Sequence, residues 1–189
     1  MRLSGLQFEF GENSSFEMKA YLDNVIVCGR VRNDLEETQM TAVQQIVDAA
    51  ERGQLSIVTS RESWREQDRT RDANLRSKFE QDRPNVEAVR DDHRLLVVRA
   101  QYDNHGNWYG NSPILTEIVD ETLLAALKKA GLKDADARHF MYAVHNGCDR
   151  FVTTDPHFLD RRPELQALGR GILIQRPSEL VADLEKPAL

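Results

Sequence analysis

The chain has only two cysteines in 189 residues, Cys28 and Cys148. They stand far apart and match neither a zinc-ligand spacing nor a disulfide framework, which sets aside cysteine-stapled folds and makes a reducing cytosol the natural compartment. No apolar run approaches the ~20 residues that span a bilayer as a helix, and no basic segment leads into an apolar stretch near the N-terminus. A cytoplasmic protein, neither secreted nor membrane-anchored, is expected. Positive charge is also outnumbered: 25 Lys and Arg against 31 Asp and Glu leave a formal net charge of -6, the wrong sign for a nucleic-acid module that binds by electrostatics alone. A nuclease survives this exclusion, because acids gathered to hold a metal ion push the balance negative. There is no glycine-rich phosphate loop, which removes support for another phosphoryl-transfer enzyme on a doubly wound sheet. Internal repeats and low-complexity tracts are missing too.

What remains is 40% hydrophobic and 30% charged, long enough for one domain with a full α/β core. Short apolar runs alternate with helical patterns, which favours a mainly parallel sheet with helices on both faces. Residues 1–17 stand apart as an N-terminal extension read as an extra edge strand or hairpin, where Leu6, Phe8 and Phe10 alternate with polar residues before a Gly11-Glu12-Asn13 turn signal. The domain proper is expected over 18–189. A strand through Ala20 to Leu22 delivers Asp23 at its end. Met40, Val43, Ile46, Val47 and Ala50 mark a helix face, and Gly53 lies where that helix stops. Leu55 to Val58 is the second strand. Thr59 opens a long polar helix carrying Trp64, Leu75 and Phe79. The ten basic and nine acidic residues between 61 and 99 read as a solvated, ion-paired face rather than an RNA groove.

Residues 101–113 are loop-like. Tyr102, His105, Trp108 and Tyr109 either stack on bases there or fold over one another on the surface, the plainer reading. Leu115 to Ala130 has an amphipathic pattern with Ile118, Leu123, Leu124 and Leu127 inward and Gly131 as its stop. Another helix starts at Asp134 or Asp136, with Phe140, Ala143 and Val144 toward the core and Gly147 at its end. Phe151 and Val152 form a short buried strand, Gly171 to Ile174 the last one, and Pro177-Ser178 opens a C-terminal helix.

The candidate acids fall at the ends of these elements. In an open parallel sheet, the loops at the carboxyl ends of the strands form the crevice that binds ligands. Asp23 follows the first strand, Asp155 follows the strand at Phe151, and Asp136 begins the helix leading into it. The helix after the second strand offers Glu62 and Glu66, one turn apart. Thr59 to Glu62 fits a capping box that would occupy Glu62, so Glu66 is assigned to the site with Glu62 as the alternative. Each acid also has a plainer role. Asp134 suits a helix N-cap, Asp136 a first-turn charge, and Asp155 a turn before proline. Asp23 is the hardest to explain away, since Asp is depleted in strands.

Four segments, YLDNVIV, VTSRESWRE, DADARHFMYAVHNGCDRFVTTD and GILIQRPSELV, resemble PIN-domain nucleases over nearly the whole chain. The third is the most specific, pairing an Asp-x-x-His helix start (Asp136, His139) with a Thr-x-Asp strand end (Thr153, Asp155). In the second, the family's glutamate lies six residues after Ser60, at Glu66. One departure stands at the first strand, where Asn24 directly follows Asp23 instead of lying one place later. The resemblance implies a PIN-like three-layer αβα sandwich and a metal-dependent endoribonuclease. Its Mg²⁺ or Mn²⁺ would be held by Asp23, Glu66, Asp136 and Asp155. Asn24, Ser60, His139, Thr153 and Thr154 would hold those acids or orient metal-bound water. The implied partners are single-stranded RNA, an antitoxin-like inhibitor and a second copy of the chain. The displaced Asn24 motivates a rival expectation, a PIN fold without activity that serves as a binding module.

Overall fold

The computed structural model describes residues 18–83, 86–89 and 120–186, together with the paired backbone at 94–96, 101–102, 108–109 and 114–116. The extension expected over residues 1–17 lies outside them. In chain order the elements begin with β1 (Met18–Leu22), α1 (Asn24–Arg32), α2 (Glu37–Glu51), β2 (Leu55–Thr59), α3 (Arg61–Asp68) and α4 (Ala73–Asp82). Five short strands follow: β3 (Glu87–Ala88), β4 (Arg94–Leu96), β5 (Gln101–Tyr102), β6 (Trp108–Tyr109) and β7 (Ile114–Thr116). The chain then forms α5 (Glu121–Lys129), α6 (Asp134–His145), β8 (Arg150–Val152), α7 (Pro156–Leu159), α8 (Arg162–Leu168), β9 (Leu173–Gln175) and α9 (Pro177–Leu184).

The central sheet has five strands in the order β3-β2-β1-β8-β9, and every pairing is parallel. Alternation along the strands separates two hydrophobic cores, because successive side chains point to opposite faces. Ala20, Leu22, Leu55 and Val152 pack with α1, α2 and α9 through Ile26, Val43, Ile46 and Leu180. Tyr21, Val58, Phe151 and Ile174 face the other way, against Leu127, Phe140, Met141 and Leu165 of α5, α6 and α8. Helices on both faces of one sheet make a three-layer α/β sandwich. Aromatic contacts anchor the second face: Tyr21 stacks on Phe151 at 5.4 Å and Phe151 meets Phe158 at 4.7 Å. Such pairs add about 0.5–1.5 kcal/mol each beyond the area they bury.

Several expectations change. The polar helix from Thr59 is two helices, since Asp72 accepts from the amides of Asn74 and Leu75 and starts α4 afresh. The buried stripe of α2 is Gln39, Ala42, Val43, Ile46 and Ala49, while Met40, Val47 and Ala50 are half-buried. The pattern from Leu115 to Ala130 is split as well. Ile114–Thr116 pairs antiparallel with Arg94–Leu96, and the helix begins only at Glu121, capped by Asp120. Ile118 lies outside the described residues. Within the loop-like stretch, Gln101–Tyr102 pairs antiparallel with Trp108–Tyr109, and His105 lies outside the description. The last strand sits slightly later than expected, at Leu173–Gln175. Gly53, Gly131 and Gly147 end their helices with positive φ as anticipated. Among the described residues, no helix is long and apolar enough to cross a membrane.

Candidate active site

The sheet order turns back on itself between β1 and β8, and a cleft of about 550 Å³ opens there at the carboxyl ends of the strands. Asp23, Glu66, Asp136 and Asp155 all line it. The N-caps of α1, α7 and α9, namely Asp23, Asp155 and Arg176, lie on its wall. Helix starts carry positive partial charge, which eases the crowding of carboxylates.

Asp23 is the most constrained of the four. Its Oδ1 accepts from the amide of Asn24 at 2.7 Å and its Oδ2 from the Thr153 hydroxyl at 2.6 Å. Burial pushes its carboxyl up to about 6, opposed by His139 and these hydrogen bonds and reinforced by Asp136. Thr153 Oγ1 also accepts from the amide of Asp155 at 3.0 Å, so one hydroxyl ties together the two acids that follow β1 and β8. Asp155 in turn accepts from the amide of His157 at 2.8 Å and lies 3.0 Å from its Nδ1. The plain helix-start role of Asp155 and its place in the cleft therefore coexist. Asp136 sits in the first turn of α6, half-buried. Desolvation raises its carboxyl, and the charges of Asp155 and Glu66 raise it further. Thr154 also lines the cleft.

Glu66 projects from α3, and its Oε2 accepts from Asn24 Nδ2 at 2.5 Å. The polar residue directly after Asp23 thus reaches the neighbouring acid. The capping argument for choosing Glu66 over Glu62 does not hold, however. Ser60, not Thr59, caps α3, and it makes no side-chain cap bond. Thr59 Oγ1 instead donates to Leu22 O at 3.0 Å and contacts Ser63 Oγ at 2.8 Å. Glu62 is buried against Arg65, 3.1 Å away, and does not line the cleft. The alternative Asp134 is no N-cap either, a position held by Lys133. It pairs at the surface with Lys128 and Arg138 at 2.7 and 2.8 Å, which hold its carboxyl below the usual range.

Beneath the acids runs a buried polar chain that the sequence reading did not fully anticipate. Tyr21 Oη donates to Ser60 Oγ at 2.7 Å and lies 2.7 Å from His139 Nδ1. The other ring nitrogen, Nε2, is 3.5 Å from Glu66 Oε2. Burial alone would lower the basicity of His139, but the contact with Glu66 and the fields of Asp23, Glu66 and Glu62 outweigh it and raise the ring above its ordinary value. Tyr21 carried one signal that could have marked it: a tyrosine in an otherwise apolar strand needs a partner for its hydroxyl once buried. Asp34, Glu36, Gln39, Arg32 and Arg176 also line the cleft without having been singled out.

No protein-family model, curated protein or solved structure matches this chain. Chemistry must therefore be judged from the donors themselves. Clustered carboxylate oxygens suit a hard divalent cation. His139 also lines the cleft, and its buried Nε2 lies 3.5 Å from Glu66 Oε2. Among the described residues, no three acid, histidine or cysteine groups already stand close enough together to hold an ion. The donor types are those a hard divalent cation takes, and their spacing among the described residues is open.

Proposed function

We propose that this protein is a metal-dependent endoribonuclease with a PIN-like fold, hydrolysing phosphodiester bonds of single-stranded RNA. The observation that carries the reading is the meeting of Asp23, Glu66, Asp136 and Asp155 in one cleft at the turning point of a parallel sheet. These four residues would hold Mg²⁺ or Mn²⁺. When bound, the metal supplies charge neutralisation at the phosphate and a more acidic water for attack.

The chain's own groups prepare that site. Thr153 and the Asn24 amide fix both oxygens of Asp23. The Asn24 side chain orients Glu66, and its Oδ1 accepts from Cys28 Sγ at 3.1 Å, which orients the amide in turn. Burial first, and then the charges of Asp155 and Glu66, raise Asp136 in the metal-free protein, so these acids gain from a cation more than from one another. Hydrolysis adds water across one P–O bond, leaving a phosphate monoester on one fragment and a hydroxyl on the other. An antitoxin-like inhibitor and a homodimer belong to the same reading as partners, and the cytoplasm as its location.

A binding module without activity is the second reading, favoured by the open spacing of the donors among the described residues. Incubation with single-stranded RNA and Mn²⁺, repeated with Asp23→Asn and Asp155→Asn, tests the first. Cleavage by the wild-type chain and its loss in both variants is expected, and cleavage that persists in both sinks the assignment. Titration with Mn²⁺ by calorimetry at near-neutral pH separates the two readings, since a scaffold takes up no ion.

A further inference from the structure

The cleft extends well beyond the four acids. Val25, Cys28, Gly29 and Arg32 recur at i, i+3, i+4 and i+7 on one face of α1, and all four line it. The groove therefore follows α1 from its N-cap, Asp23, to its last residue, Arg32, roughly 13 Å along an axis that rises 1.5 Å per residue. At the near end, Val152 pairs with Gln175, so Arg176 leaves β9 beside Thr153, whose hydroxyl holds Asp23. Arg30, Arg83, Arg138 and Arg162 are each spent on a carboxylate, that of Asp82, Asp68, Asp134 and Glu179 respectively. The two arginines that line the cleft are not. Among the described residues, neither guanidinium makes a hydrogen bond or an ion pair, although Asp34 and Glu36 line the same groove. Arg32 meets only the face of Phe79, 5.8 Å from the ring centre.

We propose that the groove along α1 is the path of the RNA strand beyond the scissile phosphate, with Arg176 holding the next phosphate and Arg32 one further on. The inference deepens the reading above and rests on it for the class of ligand. A guanidinium presents a planar fork of donors that matches two phosphate oxygens at once, and both of these forks are unoccupied by protein groups. Between them, Val25, exposed at 37%, and the half-buried Leu35 offer an apolar wall to the nucleoside that joins the two phosphates. Asp34 and Glu36 oppose a polyanion at this end, so the arginines decide whether it is held. Phosphate contacts carry no sequence information, so this part of the site fixes the register of the strand and leaves the choice of base elsewhere. The rival arrangement has Arg32 and Arg176 only balancing Asp34 and Glu36 at a distance, with no strand between them.

Arg32→Gln and Arg176→Gln keep much of each stem and remove the charge. Fluorescence anisotropy of short labelled oligouridylate and oligoadenylate with the full chain, in Ca²⁺ to neutralise the acids, is read across a salt series. Each variant is expected to bind roughly 10-fold more weakly than the wild type, the scale of one hydrogen bond to a charged group. The loss should be equal for the two sequences, and the salt slope should shrink by about 0.7 for each phosphate contact removed. In Mn²⁺, Arg32→Gln should cleave with a raised KM and an unchanged kcat, since it binds the strand away from the reacting bond. Unchanged affinity and slope in either variant, or poly-glutamate competing as well as RNA, overturns the proposal, and cleavage by the wild type then leaves the nuclease reading standing. Binding that follows the two arginines, without cleavage in Mn²⁺, keeps the groove assignment and overturns the nuclease reading. A wild-type chain that neither binds nor cleaves overturns both. If Arg32→Gln fails to fold for want of its contact with Phe79, Arg176→Gln decides alone.

Discussion

The Thr153 hydroxyl donates to Asp23 Oδ2 at 2.6 Å, joining residues that follow the adjacent strands β8 and β1 where the sheet order turns back. The bond closes the floor of the acidic cleft. It also makes one side chain responsible for an acid that is almost wholly withdrawn from water.

Thr153→Val keeps the shape and removes the donor. It leaves Asp23 Oδ2 without its partner and deprives the amide of Asp155 of its acceptor. A loss of about 1–3 kcal/mol is expected, the usual cost of leaving a buried polar group unpaired. Urea denaturation measures it. Thr153→Ser retains the hydroxyl and should recover most of the difference.

Asp23 imposes a pH dependence whose sign is fixed. Burial raises its carboxyl from 3.8 to about 6, so between these values the folded chain holds a proton that the unfolded chain has released. Stability linked to this group is complete below the lower value and declines as pH rises through the higher one. In metal-free buffer, the advantage of Asp23→Asn over the wild type should grow across that window by roughly 2–3 kcal/mol. Thermal melts at several pH values report it, and saturating Mn²⁺ should flatten the trend. A difference that stays constant from acid to neutral pH would count against the burial argument.

Asp134 and Asp136 lie two residues apart and should behave oppositely. Asp134 is exposed and paired with Lys128 and Arg138 outside the cleft. Asp134→Ala should cost under about 1 kcal/mol, as surface pairs do, and leave the Mn²⁺ binding isotherm unchanged. Asp136→Asn removes repulsion with Asp155 and Glu66. It should weaken Mn²⁺ binding while leaving the metal-free protein at least as stable as the wild type. Parallel calorimetry and melts on the two variants make the comparison.

Gly29 lies inside α1, where a Cβ would stand 2.6 Å from both Cγ and Cδ2 of Leu35. Alanine gains about 1 kcal/mol in helix propensity over glycine. Overpacking against a fixed neighbour costs about 1–3 kcal/mol. Gly29→Ala is therefore expected to destabilise, and Gly29→Ala with Leu35→Ala should recover part of the loss. Additive effects in that double-mutant cycle would show that the two positions do not collide.

Elements with a clear period were legible from the chain. β1, β2, β8 and most of α2, α5 and α6 follow from apolar spacing and from glycines at their ends. The helix α1 was not, because Ile26, Val27, Cys28 and Gly29 are all buried in succession. A helix covered on several sides loses the periodic signal by which helices are recognised. The strand pairings at 94–96, 101–102, 108–109 and 114–116 were missed for a different reason: an isolated two- or three-residue strand carries no period at all.

Glu66 lines the cleft although the capping box that favoured it over Glu62 does not form. A capping box depends on backbone angles within one turn, and Thr59 spends its hydroxyl on Leu22 and Ser63 instead. What separates Glu66 from Glu62 is the direction each takes from α3, toward Asn24 and the cleft or toward Arg65. That direction is set by how α3 packs near α1 and α6.

The sequence by itself determined the parallel α/β plan and the placing of acids at element ends, because both depend on local spacing and on where apolar runs stop. Only the tertiary structure decided which acids share the cleft, that Asn24 reaches Glu66, and that Tyr21 and Ser60 hold His139 from beneath. Those contacts join residues up to 130 positions apart, as in the Asp23 and Thr153 pair. Their distances depend on strand order and helix packing, which no local pattern encodes.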